Sequence, residues 1–298
     1  MSTTGESVLE TDHGDVGSVG EYRLLTMLIG AVIGVSLAAS SRIDQVTGEK
    51  DLTPWLIFVL VGGLLGAAAG EAFGFGFGRW REVKRYHSIR LWRVWLSIVL
   101  MLVIAAALIY SARYAFEDTK TLSWRGAALA GLAIAGGLSS AATLAAIRQV
   151  AADPLPGSPG QQLNALLRMR QMSSRMLSQL GVLVLLIIAV NVAGANWGET
   201  RQDPNVGIFS GVVASFVIAT IYVPTASALR RRGAIFVERN FSLADTGVAE
   251  LVDAAEERQK LEKMLGLDQT TFGELKAGFV VLTPIVVAFL ASFVKTTH

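Results

Sequence analysis

Seven stretches of this chain are long and apolar enough to cross a bilayer, and nothing else in the sequence constrains the fold as strongly. They run over residues 22–40, 54–77, 92–112, 126–147, 179–197, 207–228 and 277–294. A helix needs about 20 residues, at ~1.5 Å rise each, to cross ~30 Å of hydrocarbon. Backbone groups in hydrocarbon must be satisfied within the segment, so each stretch is expected to be a helix. Composition agrees. Of the 298 residues, 52% are hydrophobic and 17% charged, and mean hydropathy is +0.49. A soluble domain carries about 25% charge. The expected fold is all-α: a polytopic membrane helix bundle of about seven transmembrane helices, with a small cytoplasmic helical segment at 229–276 before the last span.

Charge gives the expected orientation, because short basic loops stay in the cytoplasm. With the amino terminus inside, the inner segments hold 19 of the 26 Lys and Arg residues. The outer ones hold seven, at Arg42, Lys50, Arg113, Lys120, Arg125, Arg201 and Lys295. The basic inner loops are 78–91 and 148–178. The carboxyl terminus, after span seven (277–298 with its tail), falls outside. Trp55, Trp124 and Trp197 lie at expected outer ends, and Trp80, Trp92 and Trp95 at inner ends, where amphipathic rings anchor. Residues 1–21 hold five acidic residues and no Lys or Arg. They read as a disordered acidic tail, and span one as a retained signal anchor. The expected location is the cell membrane, plasma or inner.

The strongest local pattern is a glycine zipper in the second span. Gly62, Gly66, Gly70, Gly74 and Gly78 recur every four residues and share one helix face. Gly30 and Gly34, flanked by Thr26 and Ala38, repeat the pattern in span one. Small residues also align in span four (Ala127, Gly131, Ala135, Ser139, Thr143) and span six (Gly207, Gly211, Ser215, Ala219). Close backbone approach through small residues is how helices associate in lipid. Such faces serve either packing within one chain or contact between copies. Four of them in one bundle point to a homo-oligomer.

Two polar residues stand out in the apolar spans. Glu71 is the only acidic residue inside one. It is either part of a proton or cation path or an ion-pair anchor, with Arg79, Arg90 or Arg93 as partners. Asn191 lies in the middle of the fifth span. Ser139, Ser140 and Thr143 are expected to bond to carbonyls of their own helix. Pro224 and Pro284 mark helix breaks.

Two cytoplasmic segments carry more than topology. From Gln161 a helical pattern runs into the fifth span, with Arg168, Arg170 and Arg175 among leucines and methionines. Together with Arg230, Arg231 and Arg232 they form a basic patch, suited to anionic lipid or to fixing topology. Residues 246–265 form an amphipathic helix with Val248, Leu251, Val252, Leu261, Met264 and Leu265 on its apolar side. Gly266 is its expected stop, with Leu267 in contact after it. Thr271 and Glu274 fit a capping box for the last helix. This helix is either a dock for a soluble partner or a connector packed on the bundle.

These features favour an integral membrane transport protein passing an ion or small solute, as an oligomeric channel or transporter. The alternative is a non-transport scaffold or effector subunit regulated by a soluble partner through 229–276. Cys is absent and His13, His87 and His298 all lie outside the apolar runs. No metal site, cofactor, nucleic-acid partner or enzymatic activity is therefore expected.

Overall fold

A computed structural model describes residues 15–41, 49–86, 89–115, 124–195, 205–241 and 251–268. Among these residues the protein is a bundle of seven helices with no strand. We number them α1 (Asp15–Ala39), α2 (Glu49–Tyr86), α3 (Leu91–Ala115), α4 (Trp124–Ala152), α5 (Pro159–Ala195), α6 (Asn205–Asn240) and α7 (Leu251–Met264). Five of them, α1, α2, α4, α5 and α6, are long and apolar enough to cross a membrane, and α3 is apolar over Leu91–Ile104. The chain is thus a helical membrane bundle. Residues 15–21, expected to belong to the disordered tail 1–21, form the first turns of α1, and α6 runs on through Pro224, where a break was expected. The expected seventh span with Pro284, the capping box at Thr271 and Glu274, Val248 and residues 1–14 lie outside the described residues.

α2, α4, α5 and α6 form the centre of the bundle. α1 lies along α2, α3 lies against α4 and α6, and α7 rests on α6. Helices α2, α5 and α6 have 38, 37 and 36 residues. At ~1.5 Å per residue they are roughly 55 Å long, well beyond the hydrocarbon. There are accordingly two apolar cores. One includes Phe58, Leu65, Phe75, Leu144, Met176 and Leu183. The other lies toward the Arg-rich end, where Val83, Ile147, Leu166, Met169 and Phe236 meet Leu261 of α7 and Leu265 just past its end.

The seam between α1 and α2 carries the closest packing. A Cβ added at Gly30 would fall on the Gly66 carbonyl, one at Gly34 on the Gly62 carbonyl, and one at Gly70 on the Thr26 carbonyl. Four residues forward on α1 match four residues back on α2, so the two rows run antiparallel in one register. The zipper is consumed within the chain at Gly62, Gly66, Gly70 and Gly74. Gly78 is half-buried beyond it. Two of the four small-residue faces are therefore partnered by each other.

The other side of α2 is also small. Gly76 sits against Ser139 and Ser140 of α4, and Gly136 of α4 sits against Ala69. This contact adds partners on α2 to the own-helix bonds expected of the α4 hydroxyls, which Ser139 makes to the Gly136 carbonyl at 3.5 Å. Ser139 Oγ donates toward the Ala72 and Phe73 carbonyls at 3.2 and 3.1 Å, and Ser140 Oγ toward Ala72 at 3.4 Å. Thr143 Oγ1 donates to Gly76 at 3.0 Å, while its other bond goes to Ser139 of its own helix. Glycine at 76 brings the α2 backbone within their reach. In span six, Gly211 faces Ile188 of α5.

At the end away from the Arg-rich loops, Arg125 Nη2 donates to the Ser40 carbonyl at 3.1 Å, just past the last turn of α1. Trp55 Nε1 donates to Ser41 Oγ at 3.1 Å. Trp55 is buried in this contact, so it is a packing residue rather than a headgroup anchor. Trp92 and Trp95, by contrast, are exposed.

Candidate functional site

The charged side chains that sequence scatters over three helices meet at one end of the bundle. Arg23 lies one turn before Thr26 on the α1 face that packs on α2. Its Nη2 donates to Glu71 Oε1 at 2.7 Å. Gln179 Nε2 of α5 donates toward the same oxygen at 3.5 Å. Arg23 also stacks on Phe75 at 5.1 Å from the ring centre, and Arg79 does so at 5.3 Å. Arg79 in turn pairs with Glu82, one turn on. Arg168 of α5 reaches the other Glu82 oxygen at 3.7 Å. Cations and carboxylates from α1, α2 and α5 thus form one cluster.

The partner of Glu71 differs from the expected Arg79, Arg90 or Arg93. Arg79 is eight residues further on the same helix, about 12 Å along the axis, and is committed to Phe75 and Glu82. Arg23 wins because the antiparallel register of the α1–α2 seam places it beside Glu71. The side chains of Arg23 and Glu71 remain 37% and 41% exposed. Solvent screening then limits the pair to about 0.2–1 kcal/mol.

Among the described residues, two buried atoms of this cluster have no hydrogen-bond partner, Arg23 Nε and Gln179 Oε1. Each unmet group costs about 1–3 kcal/mol unless water or a polar solute reaches it. One is a donor and the other an acceptor, on two residues that bind the same carboxylate. The cluster can therefore hold water or a small polar species beside Glu71.

Gln179 and Arg23 were not singled out by sequence. Gln179 is the first residue of the fifth apolar stretch, and Arg23 reads as an ordinary charge at the edge of the first. Asn191 lies twelve residues beyond Gln179 on α5, about 18 Å along the axis. It is half-buried, has its own partner, and is not part of the cluster.

Three arginines of the expected basic patch have defined partners. Arg168 joins the Glu82 pair. Arg170 Nη1 donates to the Met264 carbonyl at 3.2 Å, and Arg230 Nη2 to the Leu267 carbonyl at 3.0 Å. These arginines cap the end of α7. Arg175 and Arg231 are exposed and Arg232 is half-buried.

The α7 terminus follows the expected stop. Gly266 has φ +58°. Its N–H donates to Lys263 at 3.0 Å and the Leu267 N–H to Glu262 at 2.9 Å, the two bonds of a Schellman motif. A Cβ on Gly266 would also fall on the Arg170 guanidinium. Only part of the expected apolar side is used. Leu261 and Leu265 are buried, whereas Val252 and Met264 are exposed. A helix resting on the end of a bundle buries one narrow edge.

Among the described residues no group of three or more His, Asp or Glu comes together. No known protein family, curated protein or solved structure matches the chain.

Proposed function

We propose that this chain is an integral membrane transport protein that passes an ion or small solute, with Arg23, Glu71 and Gln179 at the inner end of its path. One observation carries the reading: among the described residues, Arg23 Nε and Gln179 Oε1 have no partner beside a half-exposed carboxylate on a membrane-spanning helix. Ionisable groups at membrane depth are costly and mark pathways for ions and protons. Asn191 would be a second polar station on α5. The basic end faces the cytoplasm of a plasma or inner membrane, because most Lys and Arg residues lie in the loops at that end.

Association into a homo-oligomer belongs to the same reading. The zipper supplies no free face for it, but the outer half of α4 does. Ala127, Gly131 and Ala135 are exposed there, and a Cβ at Gly131 would meet none of the described residues within 4 Å.

The test is ion and proton flux through purified protein in liposomes, together with conductance in planar bilayers. Flux above that of empty vesicles, altered in Glu71→Gln, is the expected result. No flux for any tested ion or small solute by a folded protein would sink the reading.

A second reading rests on α7. Arg170 and Arg230 tie its end to α5 and α6, so a soluble partner gripping α7 would act on both helices. An effector of that kind would show partner binding that deletion of 251–268 abolishes, with no flux at all.

A further inference from the structure

We propose that the groove between α3, α4 and α6 at the Arg-rich end binds one anionic phospholipid, its phosphate on Arg148 and one acyl chain along the groove. The groove is shallow and open along one side, about 390 Å³ with the space outside its mouth included, and is walled by Leu100, Met101 and Ile104 of α3, Ala145 of α4 and Ile221 of α6. Its hydroxyl groups do not make it polar. Ser97 Oγ donates to the Arg93 carbonyl at 3.1 Å, Thr220 Oγ1 to Val217 at 2.7 Å, and Thr225 Oγ1 to Leu144 at 3.1 Å. With those hydrogen bonds made, the wall suits a hydrocarbon chain.

Among the described residues Arg148 is the one charged residue lining the groove, and it is exposed. Among the described residues no carboxylate lies within salt-bridge distance of it or of Arg90. The next residue, Gln149, fixes Arg90 beside it: the Arg90 N–H donates to Gln149 Oε1 at 3.2 Å, and Gln149 Nε2 donates to the Arg90 carbonyl at 3.4 Å. Two arginine positions with no carboxylate partner among the described residues are thus joined, through the Arg90 main chain, at this end of α3 and α4. The first turn of α3 holds no acidic residue to repel an anion. A guanidinium matches a phosphate in charge and in planar, two-pronged geometry.

Depth selects a lipid over a free anion. From Leu91 to Ile104 the α3 axis advances about 20 Å. That distance reaches from headgroup level to the middle of a ~30 Å hydrocarbon core, the length of one leaflet's chains. Trp92 and Trp95 are 62% and 64% exposed at the same end of α3 as Arg90, where indoles take headgroup level. A basic site between membrane helices at this level is suited to anionic lipid headgroups. The inference depends on membrane integration and not on the transport reading.

Native mass spectrometry of the delipidated full chain, titrated with phosphatidylglycerol or phosphatidylcholine, tests it. Wild type should retain phosphatidylglycerol over phosphatidylcholine. Arg148→Gln should weaken that retention at least about fivefold. Leu100→Trp, which fills the groove from an exposed position, should weaken it while leaving Arg148 in place. Arg231→Gln, an exposed charge elsewhere, should retain the lipid as wild type does, and millimolar inorganic phosphate should not displace it. Equal retention by wild type and Arg148→Gln would overturn the proposal, as would equal losses in Arg148→Gln and Arg231→Gln. Displacement by phosphate with Leu100→Trp binding normally would reduce the site to a bare anion site. The chain has no cysteine, so a cross-link between Leu100→Cys and Val286→Cys would be unambiguous. Its efficient formation would show the last apolar stretch in the groove and overturn the lipid assignment.

Discussion

Arg23 of α1 donates to Glu71 of α2 at 2.7 Å because two glycine rows set the register of their helices. Gly30 over Gly66 and Gly34 over Gly62 allow the backbones to touch, and the antiparallel run of the seam then brings Arg23 level with Glu71. The charge pair is a consequence of the packing rather than its cause. A half-exposed pair contributes about 0.2–1 kcal/mol, whereas a close helix seam depends on every position along it.

Glu71→Gln should therefore cost little stability. We expect a loss below about 1 kcal/mol, because the amide keeps a carbonyl oxygen for Arg23 and Gln179. On the transport reading it also changes flux in liposomes. Melting temperature and flux measured on one purified variant separate the roles. A lowered melting point with unchanged flux would leave Glu71 as a structural residue only.

Gly66→Leu should behave very differently from Gly131→Leu. At 66 a Cβ would fall on the Gly30 carbonyl, whereas at 131 it meets none of the described residues within 4 Å. Overpacking costs about 1–3 kcal/mol, and more where the obstacle is backbone. Thermal unfolding in mild detergent is the measurement. Equal melting of the two variants would mean that the α1–α2 seam is not closed as described. If copies associate through Ala127, Gly131 and Ala135, Gly131→Leu should lower the native mass without lowering the melting point.

Releasing α7 is a third test. Gly266→Ala places a Cβ in a left-handed position, a cost of roughly 1–2 kcal/mol, and on the Arg170 guanidinium. Arg170→Met removes the donor to Met264. Both variants should be cleaved by trypsin at Arg258, Lys260 and Lys263 several times faster than wild type, with the membrane core intact. Unchanged cleavage would show that Leu261 and Leu265 hold the helix without its caps.

Orientation is checked with a fluorescent reporter that matures only in the cytoplasm. Fusion after Arg232 should fluoresce and fusion at His298 should not. The reverse pattern would invert the proposed topology.

Sequence alone determined the class of fold and where five of the apolar helices run. Long apolar stretches with few charges have no alternative in lipid, and the helices found at Tyr22–Ala39, Leu52–Lys84, Arg125–Ala152, Pro159–Gly194 and Gly211–Asn240 follow them. It also determined the stop at Gly266, since a Schellman end is a local backbone motif. The spacing of Gly62, Gly66, Gly70 and Gly74 announced a close seam, because i and i+4 share a face.

Tertiary structure alone decided what each face meets. Periodicity tells which residues share a side of a helix, not which helix lies opposite or in what register. Glu71 could pair with any cation at its end of the bundle until the seam chose Arg23. Gln179 had no visible role until α5 packed on α2. Arg170 and Arg230 were topology charges until the carbonyls at the end of α7 came within their reach. Ser139, Ser140 and Thr143 could satisfy themselves locally, and only the bare backbone at Gly76 drew them across to α2. Hydrogen bonds and ion pairs act over a few ångströms, so their partners are fixed by the approach of whole helices, which no local pattern encodes.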